Sequence, residues 1–77
     1  MTTTTTTPAE IKVGDHVYEQ VGARNWATFE VESTDMGVTR SGRAIWTFYG
    51  YRKVNAGICG PDEFSLIEGE TVEVIVG

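Results

Sequence analysis

Few side chains in this sequence could do chemistry, and their spacing limits what they can do. Cys59 and His16 are its one thiol and one imidazole. A nucleophile of this kind needs an adjacent base, an orienting group and an oxyanion hole. Cys59 stands in Gly57-Ile58-Cys59-Gly60-Pro61, a turn with no base nearby in sequence, and reads as a free loop thiol. His16 follows Asp15 at the start of an alternating run and reads as a strand residue. Asp62 and Glu63 are adjacent, and adjacent side chains diverge, so they read as solvated acids rather than as an acid/base pair. A lone cysteine forms no internal disulfide, and a lone histidine leaves too few ligands for a structural zinc site. Phosphate-binding glycine loops and calcium loops are absent as well. The expectation is a protein that is not an enzyme and uses no metal or cofactor.

Binding chemistry is better represented. Arg40, Arg43, Arg52 and Lys53 surround Trp46, Tyr49 and Tyr51. Basic residues with interleaved aromatics are the ingredients of a nucleic-acid groove, in which bases stack on rings while cations track phosphates. The alternative is that Trp46 and Phe48 belong to the core and the cations solvate hairpin ends. Trp26 is the leading anchor for a protein partner. It shares strand parity with the polar Thr28, Glu30 and Glu32 and follows Arg24-Asn25, and exposed tryptophan beside arginine is the usual composition of an interface hot spot. The competing reading makes Trp26 a lid over the end of the fold. Tyr18, Tyr49 and Tyr51 are candidates to join Trp26 and Arg24, although parity does not say whether they share a face.

The charge is distributed in three blocks within a net −5. Residues 10–35 hold six acids against Lys12 and Arg24, residues 36–61 hold four bases and no acid, and residues 62–77 hold five acids. The acidic remainder repels phosphate at longer range, so nucleic-acid binding would be weak and steeply salt-dependent. No apolar run approaches the ~20 residues of a membrane span, and the N-terminus lacks the regions of a signal peptide. With a lone thiol, which suits a reducing compartment, this predicts a cytoplasmic protein.

The elements that position these residues read as β throughout. Residues 1–9, six threonines followed by proline, have nothing apolar to bury after Met1 and are expected to be a disordered tail. Residues 10–77 form the domain. The first strand is predicted over 16–21, with Val17, Glu19 and Val21 on one side and His16, Tyr18 and Gln20 on the other. The second spans 26–33 with Ala27, Phe29 and Val31 inward. A turn is predicted at 34–37, a short strand at 38–40, and a hairpin turn at Ser41-Gly42. The aromatic run 44–51 reads as a central strand buried on both faces and curled at Gly50. Residues 54–60 read as a loop or irregular edge, 61–64 as a single 3₁₀-like turn, and 71–76 as the last strand. The apolar end of that strand needs cover, from the fold itself or from a second copy, so the chain is a monomer or a homodimer.

The opening Lys12-Val13-Gly14-Asp15-His16-Val17, the alternating strand and hairpin after it, and Asp62-Glu63-Phe64-Ser65-Leu66 ahead of a final strand resemble the SH3-like barrel superfamily. Small KOW-type modules and many short phage-encoded proteins begin in a similar way. The resemblance covers residues 11–76 as a pattern, with only the Gly-Asp opening motif-like. It implies an all-β, SH3-like barrel of about five strands. It also implies a small accessory protein of phage or mobile-element type, acting as a non-catalytic module that binds a host or viral protein. The aromatic density of residues 44–51 and the missing basic character depart from a ribosome-bound KOW module. The alternative function is nucleic-acid binding through residues 40–53.

Overall fold

Apolar side chains recur at every second residue through much of the chain, and each such run becomes a strand. The computed structural model describes residues 1–55, 57 and 59–77. Its strands are β1 (Thr3–Thr6), β2 (His16–Gln20), β3 (Trp26–Val38), β4 (Ala44–Val54), β5 (Cys59–Ile67) and β6 (Val72–Ile75). A 3₁₀ turn at Pro8–Glu10 separates the first two. All six strands lie in one antiparallel sheet of order β1-β6-β2-β3-β4-β5, which is open, with β1 and β5 at its margins.

Register sorts the side chains onto two faces. Val17 of β2, Phe29 and Val31 of β3, Phe48 of β4, Leu66 of β5 and Val74 of β6 fill the inner face, joined by Ile11 from the segment before β2. Phe64 packs edge-on against Phe29 at 4.9 Å between ring centroids and stacks on Phe48 at 5.1 Å. Phe29 and Phe64 belong to strands separated by β4, so the sheet must curl to bring them together. The curl is placed at Gly50. A β-bulge interrupts the β3–β4 register between Val31 and Ser33, and a Cβ on Gly50 would stand 1.8 Å from the Glu30 carbonyl oxygen. Only glycine admits so close an approach of two backbones.

The Gly14-Asp15 opening has a mechanical part. Gly14 adopts φ +95°, Asp15 Oδ2 accepts the Lys12 N–H at 2.8 Å, and Gly14 N–H donates to the Val31 carbonyl at 2.8 Å. The turn is thereby pinned beside the bulge, and β2 leaves it already aligned with β3.

Several expectations are corrected. The threonine tract forms β1 rather than a disordered tail, because β6 offers an open edge and Glu73 accepts the hydroxyls of Thr3 and Thr5 at 3.0 and 2.8 Å. Residues 34–37 are no turn: β3 runs on through them, paired residue by residue with β4. Residues 61–64 lie within β5, and the 3₁₀ turn falls instead at Pro8–Glu10, where the Thr7 hydroxyl donates to Glu10 Oε1 at 2.7 Å. In the predicted loop 54–60, Val54 closes β4 and Cys59 opens β5, while residues 56 and 58 lie outside the described residues. β4 is buried on one face only, with Tyr49 and Tyr51 exposed on the other. The last strand is interior, covered by β1 and β2.

Candidate functional site

The outer face gathers the aromatic candidates. Tyr18 lies opposite Thr28, which places it diagonally beside Trp26, within the ~7–8 Å over which large side chains meet. Tyr49 and Tyr51 project together from β4, opposite Ser33 and Glu30. Trp26, Tyr49 and Tyr51 are 43%, 40% and 44% exposed. The face therefore holds two aromatic pairs, Trp26 with Tyr18 and Tyr49 with Tyr51. Between them lies a polar centre of Thr28, Glu30 and Lys53 spanning about 12 Å. His16 Nε2 stands 3.9 Å from Glu30 Oε2 in this centre, and the Tyr18 hydroxyl donates to Gln20 Oε1 at 2.8 Å.

Trp26 is held by its backbone, and its indole makes no hydrogen bond among the described residues. Asn55 donates its own N–H to the Trp26 carbonyl at 3.1 Å, accepts the Trp26 N–H on Oδ1 at 2.9 Å, and donates from Nδ2 to the Arg24 carbonyl at 3.2 Å. Arg24 itself sits exposed in the β2–β3 loop. Asn55 is thus a positioning residue for both Arg24 and Trp26. Nothing near it in sequence signals this role, because its partners are about thirty residues away.

The basic candidates are not brought together. Arg40 and Arg43 flank the β3–β4 turn, whereas Arg52 and Lys53 lie at the far end of β4, ~30 Å away at ~3.3 Å per residue. Trp46 points to the inner face and packs partly buried on the core. Arg52 also points inward, donating from Nε to Asp62 Oδ2 at 2.7 Å and from Nη1 to Glu19 Oε2 at 3.1 Å. Burial works against its charge, but the bonds to Glu19 and Asp62 prevail and raise its pKa above the ordinary value. Asp62 is held below the ordinary carboxylate range by the Glu63 backbone N–H and then by Arg52. Of the four cations, only Lys53 shares the outer face with the exposed tyrosines.

The inner face has a feature the sequence did not announce. A hollow of about 460 Å³ lies between β2–β3 and β5, walled by Val17, Phe29, Phe64, Leu66 and Val72, with Arg52 on its rim. It is the concavity of the curled sheet, and Glu19 and Arg52, which form an ion pair, both line it.

His16 and Cys59 lie on β2 and β5, three strand spacings apart, or ~14 Å. Among the described residues no three His, Cys, Asp or Glu cluster as metal ligands. No helix among them is long and apolar enough to cross a membrane.

No family model, curated protein or solved structure matches this chain. The reading of function therefore rests on the geometry of its two faces.

Proposed function

We propose that this protein is a non-catalytic interaction module whose outer sheet face, anchored by Trp26 with Tyr18 and by Tyr51 with Tyr49, docks a protein partner. The observation that carries the reading is that three exposed aromatic side chains, Trp26, Tyr49 and Tyr51, share one sheet face with the half-buried Tyr18, and none of the four belongs to the core cluster. Aromatic residues beside arginine are the usual anchors of protein interfaces, and here two aromatic pairs flank a polar strip. Arg24, carried on the Asn55-braced loop, supplies a cation at the rim. An SH3-like relationship and a phage or mobile-element accessory role belong to the same proposal and rest on the Lys12–Val17 opening. Nucleic-acid binding is the weaker reading, because its cations lie at opposite ends of β4 and Arg52 is committed to Glu19 and Asp62.

The test is a peptide-display selection against the protein, with bound peptides mapped by amide shifts and indole fluorescence. Peptides that shift Trp26 and Tyr51 and bind at least tenfold more weakly to Trp26→Ala support the proposal. Peptides that map elsewhere, or bind Trp26→Ala equally well, overturn it. Short DNA and RNA titrated at low salt form the parallel arm, and a response abolished by Arg43→Glu with Lys53→Glu would favour the nucleic-acid reading instead.

A further inference from the structure

The two margins of the sheet are finished differently. Main-chain direction alternates along an edge strand, so every second residue turns its N–H and C=O away from the sheet. In β5 these are Cys59, Pro61, Glu63, Ser65 and Ile67, since the Glu68 N–H donates to the Ala44 carbonyl at 3.0 Å and so turns the alternate residues toward β4. Pro61 has no N–H to offer. The Glu63 N–H is taken by Asp62 Oδ1 at 2.8 Å, and the Ile67 N–H by Glu70 Oε1 at 2.8 Å. Proline, charge and side-chain caps are the devices that stop a strand edge from recruiting another.

Over Thr3–Thr6, β1 carries none of them among the described residues; the cap of Glu10 Oε1 on the Thr7 N–H and the proline at position 8 come only after the strand. Val76 N–H donates to the Thr2 carbonyl at 2.9 Å, so Thr2, Thr4 and Thr6 face β6 while the main chains of Thr3 and Thr5 face outward. The side chains of Thr3 and Thr5 are occupied by Glu73, and no side chain among the described residues caps their amides. We infer that the β1 edge is a homodimer interface, in which β1 pairs antiparallel with β1 of a second copy about a two-fold axis at Thr4. In that register Thr3 faces Thr5 of the second copy, and the two exchange both main-chain hydrogen bonds.

Charge argues for a second copy as the occupant. A threonine strand meets itself without like-charge contact and supplies the Thr–Thr cross-strand pairs that stabilise sheets. Two β5 strands would instead bring Asp62 and Glu63 against their counterparts. Continuation of the sheet across β1 also leaves the aromatic outer face free. The contact is small: a four-residue strand buries less than the ~800 Å² per partner of a standard interface, which makes it a weak, concentration-dependent dimer.

Sedimentation of the full chain from low micromolar to about 1 mM tests this. The average mass should climb toward twice the monomer, and hydrogen exchange at the Thr3 and Thr5 amides should slow as it does, with Ser65 unchanged. Thr3→Pro with Thr5→Pro removes the two outward donors and, besides the two hydroxyl bonds to Glu73, no bond to β6, so this variant should keep its amide dispersion and stay monomeric. Thr3→Val with Thr5→Val loses the same two hydroxyls but keeps both outward donors, and should still dimerise. A wild type that is monomeric throughout, or a folded double-proline variant that still dimerises, overturns the inference. Mass doubling with no slowing at Thr3 and Thr5 overturns it too, and does so even where the proline variant fails to fold. A display-selected peptide that adds to β1 in place of the second copy would assign the edge to another protein.

Discussion

β4 presents two faces to two different tasks. Inward, Trp46, Phe48, Gly50 and Arg52 meet core residues, backbone or ion-pair partners, and each has little room to change. Outward, Tyr49 and Tyr51 are exposed and Lys53 is open to solvent. The same β-branched and aromatic vocabulary serves on both sides, and alternation alone separates them. Residues that bind the fold and residues free to bind something else are therefore neighbours in sequence, and a substitution's effect should depend on its parity.

The largest effect tests the inner face at its tightest point. Gly50→Ala places a Cβ against the Glu30 carbonyl with no flexible side chain to yield. It should cost more than about 4 kcal/mol and leave the chain unfolded in urea titrations at 25 °C. Phe48→Ala empties the centre of the core, where Phe48 is fully buried. A loss of about 3–5 kcal/mol is expected, enough to leave a domain of this size largely unfolded. Tolerance of either change would show that the two faces are not so distinct.

Arg52→Ala is expected to be milder, because both its acidic partners are substantially exposed and screened by water. A loss of about 1 kcal/mol should be seen at low salt and shrink at high salt. The same network predicts an acid limb. Asp62 is held below its ordinary pKa by Glu63 and Arg52, and Glu10 below its own by the Thr7 hydroxyl and N–H. Near these values the folded state binds fewer protons than the unfolded chain. Their contribution is thus complete above the ordinary carboxylate range near pH 4 and fades as pH falls through the lowered folded values. Urea midpoints should be level from about pH 5 to 7 and decline below about pH 4, and Asp62→Asn should flatten that decline.

The smallest effect belongs outside. Trp26→Ala and Tyr51→Ala should change stability by no more than about 1 kcal/mol while removing the anchors of the proposed face. A large destabilisation by Trp26→Ala would make the indole part of the fold and return it to the role of a lid.

Parity was the part of this arrangement that the sequence made legible. Val17 against Tyr18, Phe29 against Thr28, and the curl at Gly50 are local patterns, and the sheet keeps them. Distant partners decide the rest. Asp35, Met36 and Gly37 have turn composition, yet they face Thr47, Trp46 and Ile45 in the continued ladder, whose long-range pairing prevails over local preference. Pro61 reads as a helix start because proline suits one; at a sheet margin its missing N–H simply points outward. The aromatic pairs follow the same logic: the side of the sheet could be expected for Trp26, whereas its adjacency to Tyr18 depends on register across a loop. Arg52 appears basic and available in sequence, and only the folded sheet brings Glu19 and Asp62 to it.

The uniformity of β1 has a consequence for how this chain can vary. A one-residue slip ordinarily turns every side chain of a strand to the wrong face, but in Thr2–Thr7 each displaced threonine is replaced by another. Nothing inside the tract distinguishes one alignment from the next. Alignment is set from outside, by the buried Pro8 and by Ile11 in the core. A threonine gained or lost upstream of Pro8 therefore leaves β6 the same strand to pair with, and the length of the repeat can drift without rewriting the sheet.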